Sequence, residues 1–191
     1  TVADGHGSYE DEIAMIKADA RYQSAQAHIR ANRDRSNRDL IELTEIPAPP
    51  FGEETRGKRL AEMLKEAGAD EVSIDEVGNV IALRRGTEGK RVVAFGAHID
   101  TVFPLETDVT VKVEGNRYIA PGIGDNTRGL VALLDILRMI EHGGIETRDN
   151  ILFIATVGEE GLGDLRGVKH LFRDGGPQID SFIAIDGGGA N

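Results

Sequence analysis

Residues 92–101 read Val-Val-Ala-Phe-Gly-Ala-His-Ile-Asp-Thr, an apolar run that delivers His98 and Asp100 at its carboxyl end. A short apolar run of this kind predicts a strand buried on both faces of an α/β sheet. Three further stretches repeat the device. Pro121-Gly122-Ile123-Gly124 leads to Asp125-Asn126 at the start of a helix-like segment. Ile151 to Val157 runs into Gly158-Glu159-Glu160-Gly161, and Phe182 to Ile185 ends in Asp186 before three glycines. Ligands of open α/β sheets bind beyond the carboxyl ends of the strands. One histidine and several carboxylates therefore converge on one sheet edge, where like charges repel unless a cation lies among them. That combination predicts a metal-dependent hydrolase.

Working outward, helical and extended patterns alternate. Tyr9 to about Arg35 has neither Pro nor Gly and a thin apolar stripe of Ile13, Ile16, Ala20, Ala27 and Ile29. This predicts one long, largely exposed helix, docked through Ile13, Ile16 and Ile29 and preceded by a loose polar tail over 1–8. A second helix is expected after Ser36, carrying Leu40, Ile41 and Leu43 into the breaker Pro47-Ala48-Pro49-Pro50. Glu53 to Ala67 reads as an amphipathic helix with Gly68 at its C-cap. Val72–Val77 and Val80–Leu83 flank Gly78-Asn79 as a hairpin, and Val109–Val113 with Tyr118–Ala120 form another. Gly129 to Ile140 is strongly apolar at helical spacing, and Leu165 to Phe172 is a shorter helix. Strands alternating with helices predict an α/β, three-layer sandwich around a mixed, mostly parallel central sheet, with an N-terminal helical extension. The division is residues 1–35 for the tail and long helix and 36–191 for the catalytic domain.

The chain has 191 residues, enough for one such domain, and a formal net charge of −11. The charge argues against nucleic acid, whose affinity comes from Lys and Arg on phosphates. Most of the carboxylates simply solvate the surface. With no cysteine, disulfides and thiolate zinc sites are excluded, so any metal is held by His and carboxylate. No apolar run reaches the ~20 residues of a membrane helix. The chain opens at Thr1 rather than Met, as expected if a preceding segment has been removed by processing or by choice of boundary. Cytoplasmic, periplasmic and secreted locations all stay open.

The stretches GAHIDTVFP (96–104), PGIGDNTRGL (121–130), TVGEEGLGDLRG (156–167) and FIAIDGGG (182–189) together resemble the co-catalytic dizinc exopeptidases and amidohydrolases of the M20 family. The wording is most like its tripeptidase, peptidase T-like branch. The resemblance spans roughly residues 36–191 and implies zinc. His98 offers the imidazole nitrogen. Asp100, two residues on in extended backbone, points the same way and suits an outer carboxylate that fixes the imidazole tautomer. Asp125 can place one oxygen on each of two metals. By the same resemblance Glu160 and Asp186 are carboxylate ligands, Asp186 on the metal also held by His98. Glu159 is then the general base, passing a proton from bridging water to the leaving amine. The resemblance also implies a cis Asp125–Asn126 peptide bond.

Blander readings stand beside these. An isolated histidine is more often structural, a reading that the place of His98 at a strand end with Asp at i+2 reverses; Asp125-Asn126 suits a helix cap, and Asp186 before glycines suits a turn. Glycines 187–189 read as a hinge or turn. His6, His28, His142 and His170 read as surface or helix-end residues. Members of the resembled family continue past this point with a lid domain, further strands and a last histidine ligand. The chain is therefore expected to be an N-terminal catalytic portion. On that basis two zinc ions belong to the complete enzyme and one or none is tightly held here, since only His98, Asp125 and Asp186 supply a full set. The expected substrate is a short peptide. An N-acyl amino acid, for a deacylase of the same family, or a non-catalytic binding module on this fold are the alternatives. A homodimer is the expected assembly of the full-length protein. A Rossmann-type dinucleotide site is excluded, because no Gly-x-Gly-x-x-Gly opens a helix after a strand.

Overall fold

The computed structural model describes residues 8–187; the rest of the tail, His6 and glycines 188–189 lie outside the described residues. The expected long helix is broken into α1 (Tyr9–Ala18) and α2 (Ala20–Ala31), and the second expected helix is α3 (Arg33–Thr44), which begins three residues earlier than expected and takes in the end of the first. Asp19 causes the first break. Its backbone is extended (φ −64°, ψ 132°), and its side chain accepts the Arg21 amide at 2.8 Å, so it ends α1 while capping α2. A short carboxylate competing for backbone amides favours a cap over a helix interior. Asn32 separates α2 from α3. The division expected at 35/36 falls inside α3.

The expected docking through Ile13 and Ile16 does not occur, for their side chains are 50% and 58% exposed and α1 buries none of its residues. Docking falls instead to α2, through Ala25 against Gly143 of α5 (Arg128–Gly143). A Cβ at Gly143 would lie 2.9 Å from the Arg21 carbonyl oxygen and 3.1 Å from the Ala25 Cβ. Two small residues thus let the helix backbones approach closely.

Beside that contact the rings of His28 (α2) and His142 (α5) stack with centroids 3.9 Å apart. Burial lowers the His28 pKa below its usual 6.5, and the charges of His142, Arg35 and Arg138 lower it further, partly opposed by Asp135. The unfolded chain therefore binds this proton more readily than the folded one. The stabilisation is fully present above about pH 6.5 and lost as pH falls below it. Melting temperature should fall as pH drops below about 6.5, and His28→Gln should flatten that dependence. An unaltered slope in the variant would show that the stacked pair does not set it.

The central sheet holds β1 (Glu71–Ile74), β2 (Val80–Arg84), β3 (Val92–His98), β6 (Asn150–Thr156) and β7 (Ser181–Ala184) in the order β1-β2-β6-β3-β7. β3 pairs parallel with both β6 and β7, and β2 pairs antiparallel with both β1 and β6. β4 (Lys112–Glu114) and β5 (Arg117–Ile119) form the second expected hairpin as a separate two-stranded sheet. Side chains alternate between faces with a period of two. Val80, Ala82, Phe95, Ala97, Ile151, Phe153 and Ala155 pack with α4 (Glu54–Glu66) and α5, whereas Ile81, Leu83, Ala94, Leu152 and Ile154 pack with Leu171 of α6 (Arg166–Leu171). α4 contributes Leu60, Met63 and Leu64, and α5 contributes Leu130, Leu133, Leu134 and Leu137, at the helical i, i+3, i+4 spacing. With both faces covered, the parallel strands β3 and β6 end side by side, His98 opposite Thr156. No helix among the described residues is long and apolar enough to cross a membrane.

Candidate metal centre

His98 closes β3 with its ring only 4% exposed. Its Nδ1 lies 2.9 Å from the backbone carbonyl of Asp100, which can only accept, so Nδ1 carries a hydrogen. Its Nε2 faces Asp125 Oδ1 at 2.9 Å and Asp186 Oδ1 at 3.5 Å. Burial by itself disfavours the charged imidazole. It is outweighed by the hydrogen bond and charge of Asp100 and the charges of Glu159 and Asp125, which push the pKa up to about 9. Without a metal, the cation among these carboxylates is the imidazolium itself.

Asp100 is fully buried, and its role is wider than its spacing from His98 suggests. Its carboxylate is 3.7 Å from His98 Nδ1, more distant than its own carbonyl. Its two oxygens instead accept the amides of Glu159 (3.0 Å) and Glu160 (2.8 Å). Burial would raise this carboxyl; nearby His98 and the hydrogen bonds from the Glu160 and Glu159 amides win and hold its pKa below the usual range. Asp100 thus ties the end of β3 to the turn after β6.

Asp125 sits in a kinked turn, Ile123–Thr127, where the Asp125–Asn126 peptide bond is cis. Asn126, not Asp125, supplies the cap: its side-chain oxygen accepts the Gly129 amide at 3.1 Å, and its nitrogen donates to the Ile185 carbonyl at 2.9 Å. That second bond draws the end of β7, and with it Asp186, toward Asp125. Donor atoms of His98, Asp125 and Glu160 all lie within 4.8 Å of one another. Burial raises the Glu160 pKa, and the charges of Asp125 and Glu159 raise it further against the opposing His98. Glu159 shares the turn, half-buried.

All six residues picked from the sequence are therefore gathered at the carboxyl ends of β3, β6 and β7. They fit a divalent cation on chemical grounds. Among the described residues no lysine or arginine pairs with Asp125, Glu159, Glu160 or Asp186, so the carboxylates' only close cation is a removable proton on His98. A set of one imidazole nitrogen and several carboxylate oxygens suits a borderline-soft ion such as Zn²⁺.

Sequence reading missed the residues behind this cluster. Glu53 and Arg56, at the start of α4, are buried, as is Asn79 at the start of β2. Arg56 donates to the carbonyls of Ile46 (2.8 Å), Ile99 (2.9 Å) and Thr44 (3.3 Å), anchoring the chain on either side of the site. Burial lowers its pKa to about 10, with Asp100 opposing. The only signal for these roles was charged or polar residues beside apolar helix and strand patterns, which reads equally as solvated surface. A second acidic group, Asp75, Glu76 and His170, also lies together. Asp75 Oδ1 there accepts the amides of Val77, Gly78 and Asn79, which makes it turn chemistry.

A family model described as peptidase family M20/M25/M40 matches residues 94–191, just over half of the chain. Among curated proteins, one of Pyrococcus abyssi named for LysW-lysine/LysW-ornithine hydrolysis is 35% identical over 130 residues, 68% of this chain and 35% of its own length. The chain thus spans about a third of the length of the curated relatives it matches. Among solved structures, the aminopeptidase PepT of Bacillus cereus superposes with a TM-score of 0.70 at 25% identity, covering 83% of this chain and 44% of that one. A tripeptidase of Staphylococcus aureus gives 0.67 at 28% identity, covering 81% and 43%.

Proposed function

This chain belongs to peptidase family M20/M25/M40, and from that premise we propose that it carries metal-binding residues of a zinc-dependent exopeptidase that releases residues from short peptides. The observation that carries the reading is the buried His98 imidazole, whose Nε2 faces two carboxylates while Glu160 lies within reach of the same point. The likeness to PepT and to a tripeptidase supports short peptides as the substrate class.

In this reading His98, Asp125, Glu160 and Asp186 would hold the ions. When bound, the metal supplies Lewis acidity for the scissile carbonyl and the attacking water. The chain's own residues do the rest. His98 would offer Nε2 to the ion in its neutral form, its ring fixed by Nδ1–H on the Asp100 carbonyl. Asp100 orients the turn after β6 through two amides. Glu159, on that turn, accepts a proton from water as the water attacks and delivers it to the nitrogen of the departing amine.

The test is hydrolysis by the protein expressed from its full reading frame, with Zn²⁺ restored after chelation. Tripeptides, dipeptides and N-acetyl amino acids are compared as substrates. Release of one terminal residue from tripeptides, abolished by chelator and recovered with Zn²⁺, is expected. Faster cleavage of N-acetyl amino acids would move the assignment to a deacylase, and turnover that survives chelation would overturn it.

A further inference from the structure

Four consecutive amides enter the turn that carries Glu159 and Glu160, and each is received by a side chain from elsewhere in the chain. The Val157 amide donates to Asn79 Oδ1 at 3.0 Å and the Gly158 amide to Glu53 Oε1 at 3.0 Å. The Glu159 and Glu160 amides go to the two oxygens of Asp100. The turn is therefore suspended from three separate elements.

Glu53 is the least expected of the three. It is a carboxylate only 4% exposed, and its second oxygen accepts from Arg166 Nη2 at 2.9 Å. The Arg166 guanidinium lies over the Phe51 ring, 4.5 Å from its centroid. Position 158 leaves room for this arrangement. Gly158 has φ +60°, and a Cβ there would fall 2.0 Å from Arg166 Nη1. Glycine at 158 thus does two things: it allows the left-handed turn, and it admits the guanidinium that holds Glu53 in place. Arg166 opens α6.

We propose that Glu53, held by Arg166, is a positioning residue that fixes the direction of Glu159 and Glu160 by gripping the Gly158 amide. This rests on the roles proposed above for Glu159 and Glu160. The grip matters because neighbouring residues must serve two tasks, one carboxylate toward the metal and one toward water, and a rotation of the turn would exchange or lose them. Asp100 alone fixes two amides on one side of the turn. Glu53 supplies a further hold one residue earlier, and Asn79 holds the end of the strand before it.

Two measurements on the purified chain test this: calorimetric Zn²⁺ titration, and amide hydrogen exchange at Gly158–Glu160 without metal. Glu53→Ala should weaken Zn²⁺ binding about 10–100-fold, the usual effect of removing an outer partner of a ligand. It should also speed exchange of the Gly158 amide at least about tenfold. Glu53→Gln, which keeps an acceptor but loses the charge facing Arg166, should fall between. The control is Asp39→Ala, which breaks the buried Asp39–Arg138 pair between α3 and α5. It should lower the melting temperature yet leave Zn²⁺ affinity and turn exchange within about twofold, as expected of a distant site. Equal effects in the Glu53 and Asp39 variants, or no effect in Glu53→Ala, would overturn the proposal. Should Glu53→Ala fail to fold, Glu53→Gln decides by the same two readings. Should the wild-type chain take up no Zn²⁺ tightly, exchange at Gly158 alone confirms or refutes the grip.

Discussion

Glu159→Gln is expected to lower peptide turnover by about 10²–10⁴-fold, the contribution of a positioned general base, while leaving Zn²⁺ content unchanged. The variant keeps the size of the side chain and the Glu159 amide bond to Asp100, so the turn should hold its shape. What it removes is the carboxylate that accepts water's proton. Glu160→Gln makes the instructive comparison. Loss of a ligand should reduce metal content and turnover together, and excess Zn²⁺ should recover part of the rate. Steady-state kinetics with metal analysis on both variants separates the two roles. Near-normal turnover in Glu159→Gln would remove that residue from the chemistry, and metal loss in that variant would exchange the two assignments.

The largest effect on stability is expected at Phe153. Its side chain is fully buried in the middle of β6, opposite Ala82 and Phe95 on the neighbouring strands and stacked on Phe95 at 5.9 Å between centroids. Phe153→Ala should cost about 3–5 kcal/mol through lost transfer energy and the cavity left behind. In a domain of this size that lowers the melting temperature by roughly 6–20 °C. Phe153→Leu should cost less, since it removes less volume. Urea or thermal unfolding of the metal-free chain measures both. A loss under about 1 kcal/mol for the alanine variant would mean that the cavity collapses freely, and that the sheet centre is less tightly packed than its burial indicates.

The central strands were legible because burial on both faces writes a continuous apolar run, as in Val92–Ala97 and Ile151–Val157. Helix α5 was legible for the complementary reason, with Leu130, Leu133, Leu134 and Leu137 marking one stripe. The breaks at Asp19 and Asn32 were not. A stretch without Gly or Pro has no obvious stop, and whether an Asp caps a helix or rides on its surface depends on what the chain does next. The same uncertainty hid α2 as the docking helix, since its contact uses Ala25 and Gly143 rather than large apolar side chains. At the site, residues that end strands could be picked out because strand ends are visible in sequence. Glu53 and Asn79 could not, because the amides they hold are 105 and 78 positions away, and no local pattern records so distant a pairing.

Those separations also govern how the protein comes into being. Asp100 lies 60 positions ahead of the Glu160 amide that it receives. At translation rates of about 5–20 residues per second, roughly 3–12 s pass between the two emerging from the ribosome. Closing so long a loop is entropically costlier than closing the 27-residue span from His98 to Asp125, and pairings between distant segments slow folding. For most of that interval the apolar run of β3 has neither β6 nor β7 beside it, the two strands that flank it in the finished sheet. The segment Val92–Ala97 is thus the part of the nascent chain on which a chaperone would be expected to act.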